Sequence, residues 1–572
     1  MTLTMTCKLQ KAFVCLLLLA MASMACGVEK KDRADTNAAP STATASSSAN
    51  ASDDMLLQAM KTELERSKSQ LKLEQMGSPY YIEFRVTEMN QCVAEAALGS
   101  LRQNICTHFR FARVVVKVGD YKQDSFSGEG QGQGVFDIVS MDDDVLALRH
   151  QLWLATDRAY KGALEALSAK KAQLKQYTAE NLLDDFAQAP PVQSIMPTVK
   201  LDVDLPRWTR MIKQASAVYK NDPAVQNFDA SLQFMAANRY LINSEGTVVR
   251  DGKTLYQLNT SGSTQAADGM RLDRDHGSVA ANIKELPSDA EFLAQANKLL
   301  ASLKQLRDAP LADEEYRGPV LFSADASASI FGEFVGENVL GRKPGLGQSS
   351  RTTGAYSTNY KTRVLPEFLS VVDDPTISTL KGQPLLGDYS VDDEGVKAQR
   401  VSLIESGKLV NYLVGREPIR DFPVSNGHGR ARVPANAPGP SLGNLIVSTS
   451  QPVSVKELKE RLIKLARDRD LPYGYYVETM GPRHIPRLLY KVWVKDGHEE
   501  LVRGGVFGSL DTRALRDNLI AAGDDMNIDN LPTAIPHSIV TPSVLFDELE
   551  VKRSEARRDK LPEYPAPGPG GK

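Results

Sequence analysis

Cysteine is scarce and stops early: five occur in 572 residues, and none follows Cys106. That excludes a thiol nucleophile and any thiolate metal ligand from everything beyond that point. A basic surplus is also lacking. With 68 Lys and Arg against 71 Asp and Glu, the net charge is −3, and the electrostatic footprint of a nucleic-acid binder is missing. The apolar run Ala12 to Ala22 is too short for a stable membrane span, and repeats at solenoid periods are absent. What remains is a 42% hydrophobic chain, long enough to bury a large core in two domains.

The first residues read as an address. Lys8 and Lys11 precede the apolar run, and small residues Ser23 and Ala25 lead to Cys26, the pattern of a secretory signal over 1–25. Met24-Ala25-Cys26-Gly27 is similar to a bacterial lipoprotein cleavage site, with Ser23 where leucine is usual. Two outcomes stand open: lipidation of Cys26 with anchoring to a membrane, or plain cleavage and release to the cell envelope or periplasm. The Ser-, Ala-, Thr- and Asn-rich tract up to Asp54 cannot form a core, so 26–53 is expected to be a disordered tether. Beyond the signal, only Cys92 and Cys106 remain. They flank an expected hairpin, and either a disulfide in an oxidising compartment or two buried thiols fits them.

Hydrophobic periodicity organises the rest. A helix is expected over Met55 to Leu73, then three strands at Tyr80 to Val86, Cys92 to Leu98 and Phe109 to Val118. Gly128 to Gly134 lacks the strand, helix and Lys-Ser/Thr of a phosphate cradle and reads as a surface loop. Asp142 to Glu180 supports a long helix or a broken pair. Phe228 to Leu258 is a β-rich block around the turn Asn243-Ser244-Glu245-Gly246, and a helix follows from Ala290 to Leu306. After Pro310 come a strand at Gly318 to Phe322, a helix-like stretch Ile330 to Arg342, strands Val401 to Ile404 and Lys408 to Val414, a helix Lys456 to Asp468 and a strand Ser543 to Val551. The fold class is α+β: an N-terminal α/β domain over 54–309 with an antiparallel sheet and long helices, a mainly antiparallel β domain over 314–552, and a disordered tail over 553–572.

Within Ile330 to Arg342, glycine precedes each of two glutamates, Glu333 and Glu337, that stand four residues apart. The stretch resembles the His-Glu-x-x-x-His helix of the TldD/PmbA family with Gly332 and Glu337 in the histidine positions and Glu333 in the general-base position. Further likeness lies in Asp393-Glu394-Gly395, Leu403 to Leu409, Ser425 to Arg430, Asn444, Pro542 to Leu545, Trp153 to Asp157 and Asn243 to Gly246, in order across residues 78 to 551. The resemblance implies a dimer that degrades peptides in an enclosed cavity, built from a zinc-bearing subunit and one lacking the ligands. This chain resembles the second kind: the family's late cysteine ligand is missing as well. No zinc cofactor is expected, because zinc needs three or four imidazole, thiolate or carboxylate donors. Glu333 and Glu337 read either as a solvated helix face or as a site for a hard cation.

The family likeness places Asn426 and Asn444 at substrate-lining positions, where their amides could bind peptide backbone or equally fix turns. His428, between two glycines, is a candidate ligand-binding group or a locally bonded loop residue. Asp392, Asp393 and Glu394 read as a cation cluster or an exposed turn. Gly439 to Gly443 spells a nucleophile elbow but reads as a turn, and His498-Glu499-Glu500 lacks a second histidine at i+4. The expected function is an exported, metal-free subunit that shapes a peptide-binding cavity, as a homodimer or beside a zinc-bearing relative. The alternatives are a peptidase using Glu333 with a non-zinc or partner-supplied metal, and a non-catalytic envelope protein that binds peptides.

Overall fold

The computed structural model describes residues 54–73, 77–126, 134–175, 183–220, 222, 225–345, 348–432, 437–481, 483, 485–555 and 558–564. The signal, Cys26, the tether and most of the glycine-rich loop 128–134 lie outside them.

Helix α1 (Met55–Gln70) starts at Asp54, whose carboxylate accepts from Leu57 N. Strands β1 (Tyr81–Ala97) and β2 (Ser100–Lys117) follow as one long hairpin. The expected break between Val86 and Cys92 does not occur, because the polar residues there alternate with Met89 and stay in register. The turn falls at Leu98 and Gly99, both at positive φ. After β3 (Val135–Val139), α2 (Val145–Leu174) is a single helix capped by Asp144. Strand β4 (Gln193–Ile195) precedes α3 (Leu205–Ser216), which the sequence reading passed over. Its signals are visible in retrospect: Asp204 as N-cap, Pro206 in the first turn, and Trp208, Met211, Ile212 and Ala215 on one buried face. Then come β5 (Asn227–Asn243), β6 (Val248–Gln265), β7 (Arg271–Ala280) and α4 (Asp289–Asp308), the last with a full Ser288–Glu291 capping box.

These strands make one sheet in the order β3-β2-β1-β5-β6-β4, with β7 also on β6. Its two faces have different fates. Ile82, Phe84 and Val86, with partners Val116, Val114 and Ala112, pack on α1 and α2, and Phe228, Leu232 and Phe234 pack on α3 and α4. The opposite face of β1 and β2 carries Tyr81, Glu83, Arg85 and Thr87 across from Lys117, Val115, Arg113 and Phe111. It is polar yet buried, because loops of the C-terminal half cover it.

The C-terminal half holds β8 (Glu315–Phe322), α5 (Ala324–Phe334), β9 (Leu369–Asp373), β10 (Val401–Glu405), β11 (Asn444–Thr449), α6 (Val455–Asp468), β12 (Tyr473–Met480), β13 (Pro486–Trp493), β14 (Glu499–Val502), β15 (Leu519–Gly523), β16 (Asn527–Leu531), β17 (His537–Thr541) and β18 (Val544–Arg553). One sheet runs Lys408–Leu409, β10, β9, β11, β17, β16; a second runs Pro452–Val453, β15, β18, β8, β12, β13, β14, with Gly505–Phe507 on β18. The strand expected over Lys408 to Val414 ends at Leu409, since Val410 N and Asn411 N both turn back to Leu403 O. Past Lys552 the described tail is held: Ser554 N donates to Gly504 O and Asp559 N to Gly269 O. Pairing is mostly antiparallel, so the architecture is mixed α+β as expected. Among the described residues no helix is long and apolar enough to cross a membrane.

Candidate functional site

Helix α5 carries the degenerate motif, and it is shorter than expected. Ser323 caps it at Ala326 N, and Ser327 Oγ donates to Pro542 O at 2.6 Å, which seats the first turn on the end of β17. It stops at Phe334 and continues as a 3-10 turn, Gly336–Asn338. The helix reading over Ile330 to Arg342 is therefore corrected. Gly332 and Gly336 weaken the last turn, and Asn338 Nδ2 takes the Phe334 carbonyl while its Oδ1 accepts from Ala355 N at 2.7 Å. Glu333 and Glu337 consequently sit on different elements, both exposed, and Glu337 pairs with Arg342 at 3.2 Å. Behind them Phe331, Val335 and Val339 are fully buried and Phe334 is half-buried against the same core.

A Cβ at Gly332, the first histidine position, would lie 2.6 Å from Ile539 Cδ1 on β17, so a larger residue there requires the end of that side chain to shift. Among the described residues no group of three or more His, Cys, Asp or Glu gathers as metal ligands would. The residues present do not fit the zinc that the family resemblance implies.

Around the start of α5 lies a group that the sequence reading missed: Arg274 and His276 on β7, Asp325 on α5, Glu478 on β12 and Asp529 on β16. Asp325 and His276 are exposed, yet the protein around them raises the Asp325 pKa and lowers that of His276 through desolvation. Asp529 is pushed up to about 6 by burial and then by Asp325. No sequence motif could flag them, because they come from four separate elements.

The motifs that carried the resemblance meet elsewhere, at the junction of the two halves. Arg416, fully buried, donates from Nε and Nη2 to Ala187 O at 2.9 and 2.7 Å, and Nη2 pairs with Glu245 of the β5–β6 turn at 2.7 Å. Its guanidinium lies 4.0 Å from the Phe186 ring centroid. Its own N–H donates to Glu394 Oε2 at 2.6 Å. Glu394 threads between Gly415 and Gly429, where a Cβ would come within 2.5 and 2.0 Å of that oxygen. Only glycine leaves this passage open. Burial, then the charge of Asp392, raises the Glu394 pKa to about 8.

Asp392 and Asp393 are buried, which corrects the exposed-turn reading of this acidic run; the chain turns inward to meet β5. Asp392 accepts from Glu394 N, Val396 N and Gly429 N, and burial still lifts its pKa to about 6. Burial opposes ionisation of Asp393 too, but Arg239 and Arg430 overcome it and hold the carboxyl well below its usual range.

The residues assigned to substrate lining are engaged inside the fold. His428 is 0% exposed; Nε2 lies 3.1 Å from Asp373 Oδ1 and Nδ1 3.0 Å from Asn426 O. Both ring nitrogens are occupied, so none is left to activate a serine. Asn426 accepts from Val414 N and donates to Tyr412 O. Asn444 accepts from Gly387 N and donates to Asp374 O and Ile377 O. Gly439–Pro440 forms a two-residue strand with Gly429–Arg430, and β11 rather than a helix follows Ser441. His498 is exposed beside Asp496 in the β13–β14 turn. Cys92 and Cys106 face each other across β1 and β2 and are joined as a disulfide.

Comparison with known proteins agrees with this architecture. The family model described as PmbA/TldA metallopeptidase C-terminal domain matches residues 315–553. The metalloprotease TldD homolog of Buchnera aphidicola subsp. Schizaphis graminum is 21% identical over 357 residues, covering 60% of this chain and 68% of that protein. That of Haemophilus influenzae is 24% identical over 356 residues, covering 59% and 68%. The fold is shared with a proposed modulator of a DNA gyrase from Thermotoga maritima (TM-score 0.58, 16% identity, 86% of this chain and 100% of that one). It is also shared with TldE from Thermococcus kodakarensis (TM-score 0.55, 13% identity, 86% and 99%). The matched C-terminal domain, these relatives and the shared fold all support the TldD/PmbA family for this chain.

Proposed function

We propose that this chain is an exported, metal-free subunit that shapes a peptide-binding cavity in proteolysis, as a homodimer or beside a zinc-bearing relative. The observation that carries the reading is the α5 motif itself: Gly332 stands at the first histidine position beside Ile539, Glu337 stands off the helix, and among the described residues no group of three or more His, Cys, Asp or Glu gathers as metal ligands would. The mixed-sign group of Arg274, His276, Asp325, Glu478 and Asp529 lies at the other end of that helix and suits a peptide, whose amides and termini carry both polarities. The Cys92–Cys106 disulfide supports an oxidising compartment, and a signal with Cys26 after Ala25 supports lipid anchoring in the cell envelope. Relatives named metalloproteases set the pathway class, not the activity of this subunit.

The test is elemental analysis of the purified mature chain together with peptide cleavage by the wild type and by Glu333→Gln. The expected result is zinc far below one equivalent and no cleavage that depends on Glu333. Stoichiometric zinc, or activity abolished by Glu333→Gln, overturns the reading.

A further inference from the structure

The buried polar face of β1 and β2 holds a guanidinium whose strongest donors find no acceptor among the described residues. Arg85 is 7% exposed. Its Nε and Nη2 hydrogens form the edge of a guanidinium that grips a carboxylate side-on. Both are buried with no hydrogen-bond acceptor among the described residues. Glu83 Oε1 stands 3.7 Å from Nη2, too far for a hydrogen bond, and Glu83 Oε2 already accepts from Tyr81 Oη at 2.7 Å. Leaving such donors unsatisfied is costly, more so when they are charged.

A second feature adds to that cost. Arg85 lies directly opposite Arg113 in the β1–β2 register, and like charges facing each other across strands destabilise a sheet. Burial, then the charge of Arg85, lowers the Arg113 pKa to about 10. Both arginines line a small recess, partly open to solvent, with Thr87, Arg239, Asp393 and Arg432. Asp393 is already engaged by Arg239, Arg430 and Ala431 N, and Arg239 is shared with Asp251. Glu394, which also acts on Arg113, is mainly neutral at pH 7 because its pKa is raised to about 8.

We propose that this recess is an oxyanion site, in which a carboxylate or phosphate takes the Nε and Nη2 hydrogens of Arg85 side-on with Arg432 at the exposed rim. The ligand is either the terminal carboxylate of a peptide or a free oxyanion. The inference stands on the charge and geometry of the junction and does not depend on the subunit reading above.

The experiment titrates the mature chain, in low-chloride buffer, with inorganic phosphate, with trialanine and with trialanine amide, against sodium chloride of matched ionic strength. Calorimetry and thermal melting are the readouts. Saturable binding and a raised Tm are expected with phosphate or with the free-acid peptide. Arg85→Met weakens that binding at least tenfold, and Arg432→Ala, which leaves the buried cluster intact, weakens it severalfold. Without added anion, Arg85→Met melts no lower than the wild type, because the facing cations are relieved. Binding of the free acid but not the amide assigns the site to peptide termini; binding of phosphate alone assigns it to a free oxyanion. The proposal is overturned if no titrant exceeds the salt control, if acid and amide bind alike while phosphate does not bind, or if Arg85→Met melts lower in anion-free buffer. The last result would make the guanidinium a structural fastener.

Discussion

Two regions of this protein carry carboxylates in motifs that look alike on paper, and they live in opposite surroundings. Glu333 and Glu337 on and after α5 are exposed, with apolar neighbours turned into the core behind them. Asp392, Asp393 and Glu394 at the junction are threaded among arginines and glycines. In water a charge costs little to keep and contributes little, whereas a buried charge couples to everything around it. The difference teaches what a substitution costs: Glu337 meets Arg342 at the surface, whereas at the junction each acid is matched to particular buried donors.

The contrast predicts its own breakage. The largest effect is expected from Arg416→Ala, which strips Ala187 O and Glu245 of a fully buried partner. Breaking a buried pair from one side costs about 3–5 kcal/mol, to be read from urea unfolding. Glu337→Ala should stay within about 0.5 kcal/mol of the wild type in the same assay. Equal effects would erase the distinction.

A smaller loss is expected at Gly332→His. Overpacking a filled site costs about 1–3 kcal/mol, and the clash is with Ile539. Adding Ile539→Ala should therefore give a coupling well away from zero in a double-mutant cycle. Additive losses would mean that the neighbour does not set the choice of glycine. Neither variant should acquire zinc, since Glu337 stays off the helix.

The subtlest prediction concerns pH. The Glu394 pKa is raised in the fold from its ordinary 4.5 to about 8. The folded state then binds more protons than the unfolded state across that window, so stability falls as pH rises from about 4.5 to about 8. Asp392, raised to about 6, adds to the same slope at its lower end. Asp393, held low, has the opposite sign: its contribution is present above its unfolded pKa and disappears as pH drops through its folded one. Denaturation midpoints between pH 5 and 8 should flatten in Glu394→Gln. An unchanged slope would remove Glu394 from the account.

Much of the fold was legible in the chain. Helices α1, α2, α4 and α6 and strands β8, β10 and β18 follow from apolar spacing and caps, and the β5–β6 turn follows from Asn243-Ser244-Glu245-Gly246, with Gly246 at φ +102°. α3 was equally legible in Asp204, Pro206 and the apolar face behind them. The site was less so. Asn426, His428 and Asn444 have the chemistry of ligand-binding residues, and spacing cannot tell a side chain that faces a cavity from one spent on Val414, Asp373 and Gly387. Likewise, an acidic triplet with glycine reads as a surface turn until β5 and Arg239 are brought against it.

By itself the sequence determined the kinds of element, the α+β class, the family likeness and the lack of thiolate donors past Cys106, because these depend on local periodicity and on which side chains are present at all. Tertiary structure decided that Ile539 lies beside Gly332, that Glu394 passes between Gly415 and Gly429, and that Arg85 faces Arg113 beneath a loop hundreds of residues away. Burial and charge pairing between distant segments come only with the packed chain, and they set the cost of every polar group at the junction.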